Sequence, residues 1–159
     1  LSTVIFILFD PWQNTALREL RRDVHVPAGE SAVVMSLDEL GMFKRENVLY
    51  ACLKDATGKV IARTNEFAQI EKRLRFPDAR LSLSLDGDLL RVTTDSFARC
   101  IELSGDEGGD EFGWLFEDNY FDLLPMEIKT VRILGKHKCG LIKAKPHYSS
   151  HTAMIAYGE

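Results

Sequence analysis

The stretch that decides the fold is EDNYFDLLP at residues 117–125. Asp118 and Asn119 carry short polar side chains that hydrogen-bond to nearby backbone and favour turns. The apolar side chains that follow offer more surface than a solvated loop needs: Tyr120, Phe121, Leu123 and Leu124. Pro125 then interrupts regular pairing before the strand-like run KTVRI at 129–133. We therefore predict a packed corner of a β-sandwich, with an aromatic ligand platform as the alternative.

Strand-like runs also occur along the chain before this corner. The apolar run VIFILF at 4–9 predicts a strand covered on both faces, and LSLSLD at 81–86 alternates as a half-buried strand does. DATG at 55–58 predicts a hairpin turn inside 53–64. Residues 17–26 and 32–35 are also predicted strands, while 38–42 allow at most one helical turn. About ten short strands without an amphipathic helix indicate an all-β protein built from immunoglobulin-like antiparallel β-sandwiches.

The charged segment EKRLRFPD at 71–78 separates two groups of predicted strands. A length of 159 residues allows one domain or two small ones. We predict a first domain at 1–76 and a second at 77–159.

Composition narrows the possible partners. The chain has 45% hydrophobic and 28% charged residues, which is typical of a globular protein. The net charge of −4 and the pI of about 5.6 give no electrostatic footprint for nucleic acid. Nucleic acid is therefore not an expected partner. No apolar run is long enough to span a bilayer, so a membrane is not an expected partner either.

The chain has three cysteines, Cys52, Cys100 and Cys139. An odd number at such wide spacing does not indicate a disulfide framework, and the spacing is not that of metal ligands. Cys52 and Cys100 lie in apolar strand-like runs and are predicted to be buried thiols. A bridge between them stays open at this point. No metal and no cofactor is expected.

FARCIELS at 97–104, an acidic Gly-rich loop and DNYFDLLP at 118–125 follow one another in this order. Together they resemble the C-terminal immunoglobulin-like domain of β-mannosidases of glycoside hydrolase family 2. Residues 1–76 are similar to the penultimate domain of the same enzymes, through DPWQN at 10–14, VHVPAGES at 24–31 and LKDATGK at 53–59. That domain normally begins with further strands, so the first sandwich is expected to be incomplete at its N-terminus and the chain to be a C-terminal fragment.

The resemblance implies an exo-acting parent enzyme that removes terminal β-linked mannose, related members acting on glucosamine or galactose. Such retaining enzymes use two Glu residues about 5–5.5 Å apart, which belong to a barrel of about 250 residues. This chain is too short to hold that barrel, so no catalytic residue is assigned here. The resemblance also implies the parent's catalytic domain as a partner. The compartment of that parent stays open between periplasmic, secreted, lysosomal and cytoplasmic.

Other residues offer weaker candidates for chemistry. Asp106, Glu107, Asp110 and Glu111 form an acidic loop that could hold Ca²⁺, although they lack the spacing of an EF-hand. His147 and His151 have a spacing that suits a metal on a helix, but Pro146 and the serines between them favour surface positions. Ser149 and Ser150 lie beside these histidines without a nucleophile-elbow motif.

Exposed aromatic rings could stack on sugars, and Trp114, Trp12 and Tyr120 are the carbohydrate-binding candidates. The alternative is that these rings anchor a core or a domain interface. Two classes of function therefore remain: a non-catalytic accessory region of a β-mannosidase-like enzyme, and an independent carbohydrate-binding or adhesion module.

Overall fold

The computed structural model describes residues 2–41, 43–106, 113–125, 127–134 and 139–158. These residues form twelve strands in three four-stranded antiparallel sheets, one short helix, α1 (Leu37–Leu40), and a 3-10 turn at Glu71–Arg73. The all-β fold class is thus confirmed. The chain divides into two compact units, Leu1–Arg75 and Phe76–Glu159. None of the helices in the described ranges has the length and apolar character needed to cross a membrane.

The first unit contains one sheet with the strand order β2-β1-β3-β4. Its strands are β1 (Ser2–Asp10), β2 (Thr15–Val24), β3 (Val48–Lys54) and β4 (Val60–Phe67). Within the described part of this unit no second sheet is present. The incompleteness of the first sandwich at its N-terminus stays a prediction.

The central strand β1 is buried on both faces, as its continuous apolar run predicts. Residues 5–9 are all buried, and Phe9 is completely so. On one face, Phe6 and Leu8 form a cluster with Leu40 from α1 and Leu49 from β3. Burial of a strand from both sides needs apolar residues at odd and even positions alike, which explains the absence of alternation.

The predicted strand at 32–35 is wrong. This segment has no strand structure, and Val33 is 92% exposed. Val34 and Met35 instead pack on the cluster around Leu40 from an irregular segment. This packing covers part of their apolar surface, and neither residue belongs to a hydrogen-bonded strand pair.

The second unit is a two-layer sandwich with sheets β5-β6-β10-β8 and β12-β11-β7-β9. The strands of the first layer are β5 (Leu81–Asp86), β6 (Leu89–Thr94), β8 (Leu115–Phe116) and β10 (Lys129–Leu134). Those of the second are β7 (Ala98–Gly105), β9 (Phe121–Leu123), β11 (Cys139–Pro146) and β12 (Ala153–Gly158).

The core of the second unit lies between these layers. Leu90, Val92 and Val131 come from one sheet, and Ile101 and Ile142 from the other, all with at most 1% exposure. In β5 the leucines are half-buried and the residues between them are exposed, which is the predicted alternation. Apolar surface from both sheets therefore closes into one buried layer, which is how a sandwich is stabilised.

The three cysteines are free, so the bridge left open between Cys52 and Cys100 is not formed. Cys52 is buried as predicted, whereas Cys100 is half-buried and Cys139 is exposed. Cys52 and Cys100 belong to different sheets, β3 and β7.

Candidate functional site

The corner at 117–125 is held to the neighbouring strand by the amide of Asn119. Its Oδ1 accepts the backbone N–H of Leu103 at 2.7 Å, and its Nδ2 donates to the Leu103 carbonyl at 2.9 Å. Leu103 is 3% exposed, so its backbone groups need partners within the protein. The Asn119 side chain thus makes the hydrogen bonds to β7 that a paired backbone would make, at a position that precedes the start of β9.

Asp122 also pairs with the backbone of β7 through its side chain, at the bulge between β7 and β9. The ladder pairs Ala98 with Leu123 and then shifts its register before Ile101. In this gap the Asp122 carboxylate accepts the Cys100 N–H at 2.7 Å and a guanidinium N–H of Arg99 at 2.5 Å. The bulge is therefore paired through a side chain and not left open.

Two non-glycine residues near this bulge have left-handed backbone conformations. Cys100 has φ 50° and Tyr120 has φ 58°, backbone angles that residues other than glycine rarely adopt. Both residues line an open cleft of about 320 Å³ that also borders Glu102, Lys145 and His147. Tyr120 is 60% exposed, so the corner presents one aromatic ring beside charged and imidazole groups.

Trp114 lies in a different environment from Tyr120. Its ring is half-buried against the core, stacks on Phe116 and meets Tyr157 edge-on. Its indole N–H donates to the Asp106 carbonyl at 3.0 Å. The ring also fills the space above two glycines, since an added Cβ would lie 2.0 Å from it at Gly105 and 2.5 Å at Gly140. Its sugar-binding role stays a prediction.

Trp12 is 55% exposed in the turn after β1. It lines a second open cleft of about 320 Å³, together with charged residues from two other segments of the first unit. The three aromatic candidates are therefore not brought together: Trp12 lies in the first unit, and Tyr120 and Trp114 have different surroundings in the second.

The acidic loop can be followed only in part, because Glu107, Asp110 and Glu111 lie outside the described residues. Asp106 forms an ion pair with Lys143 at 2.8 Å. Over the described ranges, no group of three or more His, Cys, Asp or Glu side chains is placed to hold a metal ion.

Ser149, Ser150 and His151 of the C-terminal segment meet at Asp78, whereas His147 lines the cleft beside Tyr120. Its carboxylate accepts the hydroxyls of Ser149 and Ser150 at 2.8 and 2.7 Å, and the Ser150 N–H at 2.9 Å. These hydrogen bonds lower the pKa of Asp78 to about 2, and the bond from the Ser150 hydroxyl has the largest effect. His151 lies 3.4 Å from the same carboxylate and accepts from Arg80. Both hydroxyls thus bind a carboxylate and tie the segment before β5 to the segment before β12.

Sequence reasoning missed three features. Two lie in the second unit: the side-chain hydrogen bonds of Asn119 and Asp122 to β7, and the cluster around Asp78. The third is the group of charged residues around Trp12 in the first unit. Asn and Asp beside a turn do signal local hydrogen bonding. The partners here are 16 and 22 residues away, however, and no local pattern identifies them.

Comparison with known proteins fits this architecture. Residues 74–146 match the Ig_mannosidase family of Ig-fold domains. The fold over 98% of the chain is similar to part of the crystal structure of Amycolatopsis orientalis exo-chitosanase CsxA, with a TM-score of 0.61 and 12% identity, covering 24% of that chain. A variant of CsxA in complex with PNP-beta-D-glucosamine matches with a TM-score of 0.59, 12% identity and coverage of 98% and 23%. No curated protein matches the sequence significantly.

The chain spans about a quarter of the length of the solved structures that it matches. At 12% identity, this likeness shows the fold alone. The family match covers the corner, the bulge and the strands on either side of them. It confirms the resemblance that the sequence motifs indicated for the second half of the chain: residues 74–146 match an Ig-fold domain family, Ig_mannosidase.

Proposed function

We propose that this chain is a non-catalytic accessory region of an exo-acting glycoside hydrolase, and that it supports the catalytic barrel of its parent protein. The observation that carries the proposal is the Ig_mannosidase match over residues 74–146, which contain the corner. The fold similarity to a quarter of an exo-chitosanase supports the same role. The parent's catalytic domain is then the main partner.

The polar side chains of the corner support an accessory role because their hydrogen bonds hold the fold. Asn119 and Asp122 use their side-chain atoms to pair the backbone of β7. A general acid or nucleophile needs a free functional atom beside the substrate. These two residues are instead occupied in joining strands.

For the parent's substrate we propose terminal β-linked mannose, on the strength of the motifs at 97–104 and 118–125. The solved relative is named an exo-chitosanase and was bound to PNP-beta-D-glucosamine, so a glucosamine substrate is the competing possibility. Comparing p-nitrophenyl β-mannoside with the β-glucosaminide on the parent enzyme distinguishes them. Faster turnover of the glucosaminide would contradict the mannosidase assignment.

Two experiments test the accessory role. The isolated 159-residue chain should release no p-nitrophenol from either glycoside, and hydrolysis would overturn the proposal. Removal of residues 76–159 from the parent should lower its soluble yield and thermal midpoint, while kcat of the protein that still folds changes little. A shortened parent with full stability that has lost only polysaccharide binding would contradict the accessory role.

A carbohydrate-binding module is the second candidate, favoured by the exposure of Trp12 and Tyr120 beside clefts of about 320 Å³. Retardation of the chain by mannan in an affinity gel measures this function. Tyr120→Ala should abolish retardation if the ring stacks on sugar, and Tyr148→Ala, which removes another exposed tyrosine of the same unit, is the matched control. Equal retardation of both variants would exclude Tyr120 as the contact.

A further inference from the structure

The cleft beside Trp12 has a composition that the accessory role does not explain. It is lined by Trp12, Arg45, Glu46, Arg73, Leu74 and Arg75. The aromatic ring and the four charged residues are exposed, and Leu74 is half-buried. An exposed tryptophan among three guanidinium groups is a combination suited to a ligand that has both a ring and a negative charge.

The turn that carries Trp12 is fixed by its own hydrogen bonds. The carboxylate of Asp10 accepts the backbone N–H of Trp12 at 2.9 Å and that of Gln13 at 3.0 Å. Pro11 beside it is fully buried and restricts the backbone. The ring is therefore presented from a rigid turn, which lowers the entropy lost when a ligand binds.

Two of the arginines, Arg45 and Arg73, lie in further turns that are closed by hydrogen bonds of their own. Asn47 is 2% exposed; its Oδ1 accepts the Lys44 N–H at 3.0 Å, and its own N–H donates to the Lys44 carbonyl at 3.1 Å. This closes the turn that holds Arg45 and Glu46. The 3-10 turn that holds Arg73 is closed by the bond from its N–H to the Ile70 carbonyl at 2.9 Å.

The cleft is positive within an acidic protein. Three arginines against Glu46 leave a local charge of +2, by 3 − 1, whereas the whole chain carries −4. Over the described residues, Arg45, Arg73 and Arg75 form no salt bridge with a carboxylate. Their guanidinium groups keep N–H donors available for a ligand, and Arg45 reaches the Arg73 carbonyl with one of its own at 3.5 Å.

We propose that this cleft binds an acidic saccharide, with the carboxylate of a hexuronic acid residue held by the arginines and the sugar ring packed on Trp12. Guanidinium groups bind carboxylates through paired N–H donors, which gives direction as well as charge. Glu46 supplies an acceptor for sugar hydroxyls. This goes beyond the accessory role and does not depend on it, because all six lining residues lie in the first unit.

Nucleic acid is the competing ligand, since it also combines rings with negative charge. Binding along a strand needs a continuous basic groove that neutralises several phosphates. The three arginines belong to one cleft of about 320 Å³, which fits one or two sugar residues, and the protein as a whole is acidic. These observations favour the saccharide.

Isothermal titration calorimetry on the full chain tests the proposal with three probes: a short oligomer of galacturonic acid, a neutral mannose oligomer of the same length and a single-stranded oligonucleotide. The acidic oligomer should bind, more weakly as salt rises, and the neutral one should bind at least about tenfold more weakly. No binding of the acidic oligomer, or tighter binding of either other probe, would overturn the proposal.

Variants identify the site. Arg73→Gln and Trp12→Ala should each weaken binding of the galacturonic acid oligomer by about tenfold or more, since each removes a charge-assisted or stacking contact. Arg132→Gln, which removes an exposed arginine of β10 outside the cleft, is the matched control and should bind as the unaltered chain does. Equal affinity of Arg73→Gln and Arg132→Gln would refute this location. An unchanged thermal midpoint checks that each variant is folded.

Discussion

Replacing Asn119 with alanine should destabilise the second unit through the backbone of one buried residue. The change removes the two hydrogen bonds to Leu103, of 2.7 and 2.9 Å, and leaves its N–H and carbonyl without partners. Leu103 is 3% exposed, so water reaches these groups poorly. A buried polar group left unpaired costs about 1–3 kcal/mol. Two such groups predict a loss of about 2–6 kcal/mol in the free energy of unfolding.

Urea unfolding followed by tryptophan fluorescence measures this loss. In a Trp12→Phe background the signal comes from Trp114, which packs in the core of the second unit. Asp86→Ala is the matched control, because it removes an exposed side chain of the same unit that pairs with the exposed Arg91 at 3.4 Å. Exposed ion pairs contribute about 0–1 kcal/mol, so the control should change little. A loss below about 0.5 kcal/mol for Asn119→Ala, or one equal to the control's, would refute this reasoning.

Three further predictions concern other parts of the two units. Gly105→Ala places a Cβ 2.0 Å from the Trp114 ring and should lower unfolding free energy by about 1–3 kcal/mol, with a shift in the fluorescence of Trp114; a native spectrum and stability would contradict the packing. The lowered pKa of Asp78, from 3.8 to about 2, means that its contribution to stability is present above pH 4 and is lost as the pH falls towards 2. The thermal midpoint of Asp78→Asn should therefore lie below that of the unaltered chain at pH 6, with the difference narrowing by pH 2; a constant difference would exclude this linkage. Phe9→Ala empties a fully buried position of β1 and should cost the first unit about 3–5 kcal/mol, measured by urea unfolding with the signal of Trp12; a loss under about 1 kcal/mol would show that Phe9 does not support the core.

The elements that were predicted well are those whose signal is local. The apolar run in β1, the alternation in β5 and the hairpin between β3 and β4 each follow from residues next to one another in the chain. The segment at 32–35 shows the limit of such signals. Its valines have the composition of a strand, but composition does not say whether a sheet edge is available to pair with.

The candidate site was less accessible to sequence reasoning than the fold. Exposed aromatics could be proposed, but the half-burial of Trp114 depends on two glycines, Gly105 and Gly140, from different strands. The arginines that surround Trp12 come from segments that start 33 and 61 residues further along the chain, by 45 − 12 and 73 − 12. Their convergence is a property of the folded unit.

The sequence by itself determined that this chain is all-β, that a packed corner forms at 117–125 and that the second half is an immunoglobulin-like domain. Periodicity, turn residues and motif order specify these features, because neighbouring residues set local backbone geometry and buried faces. Only the tertiary structure decided that Asn119 and Asp122 complete the pairing of β7, and that Trp12 shares a cleft with three arginines. These contacts join residues far apart in the chain, and it is folding that brings them within hydrogen-bonding or binding distance.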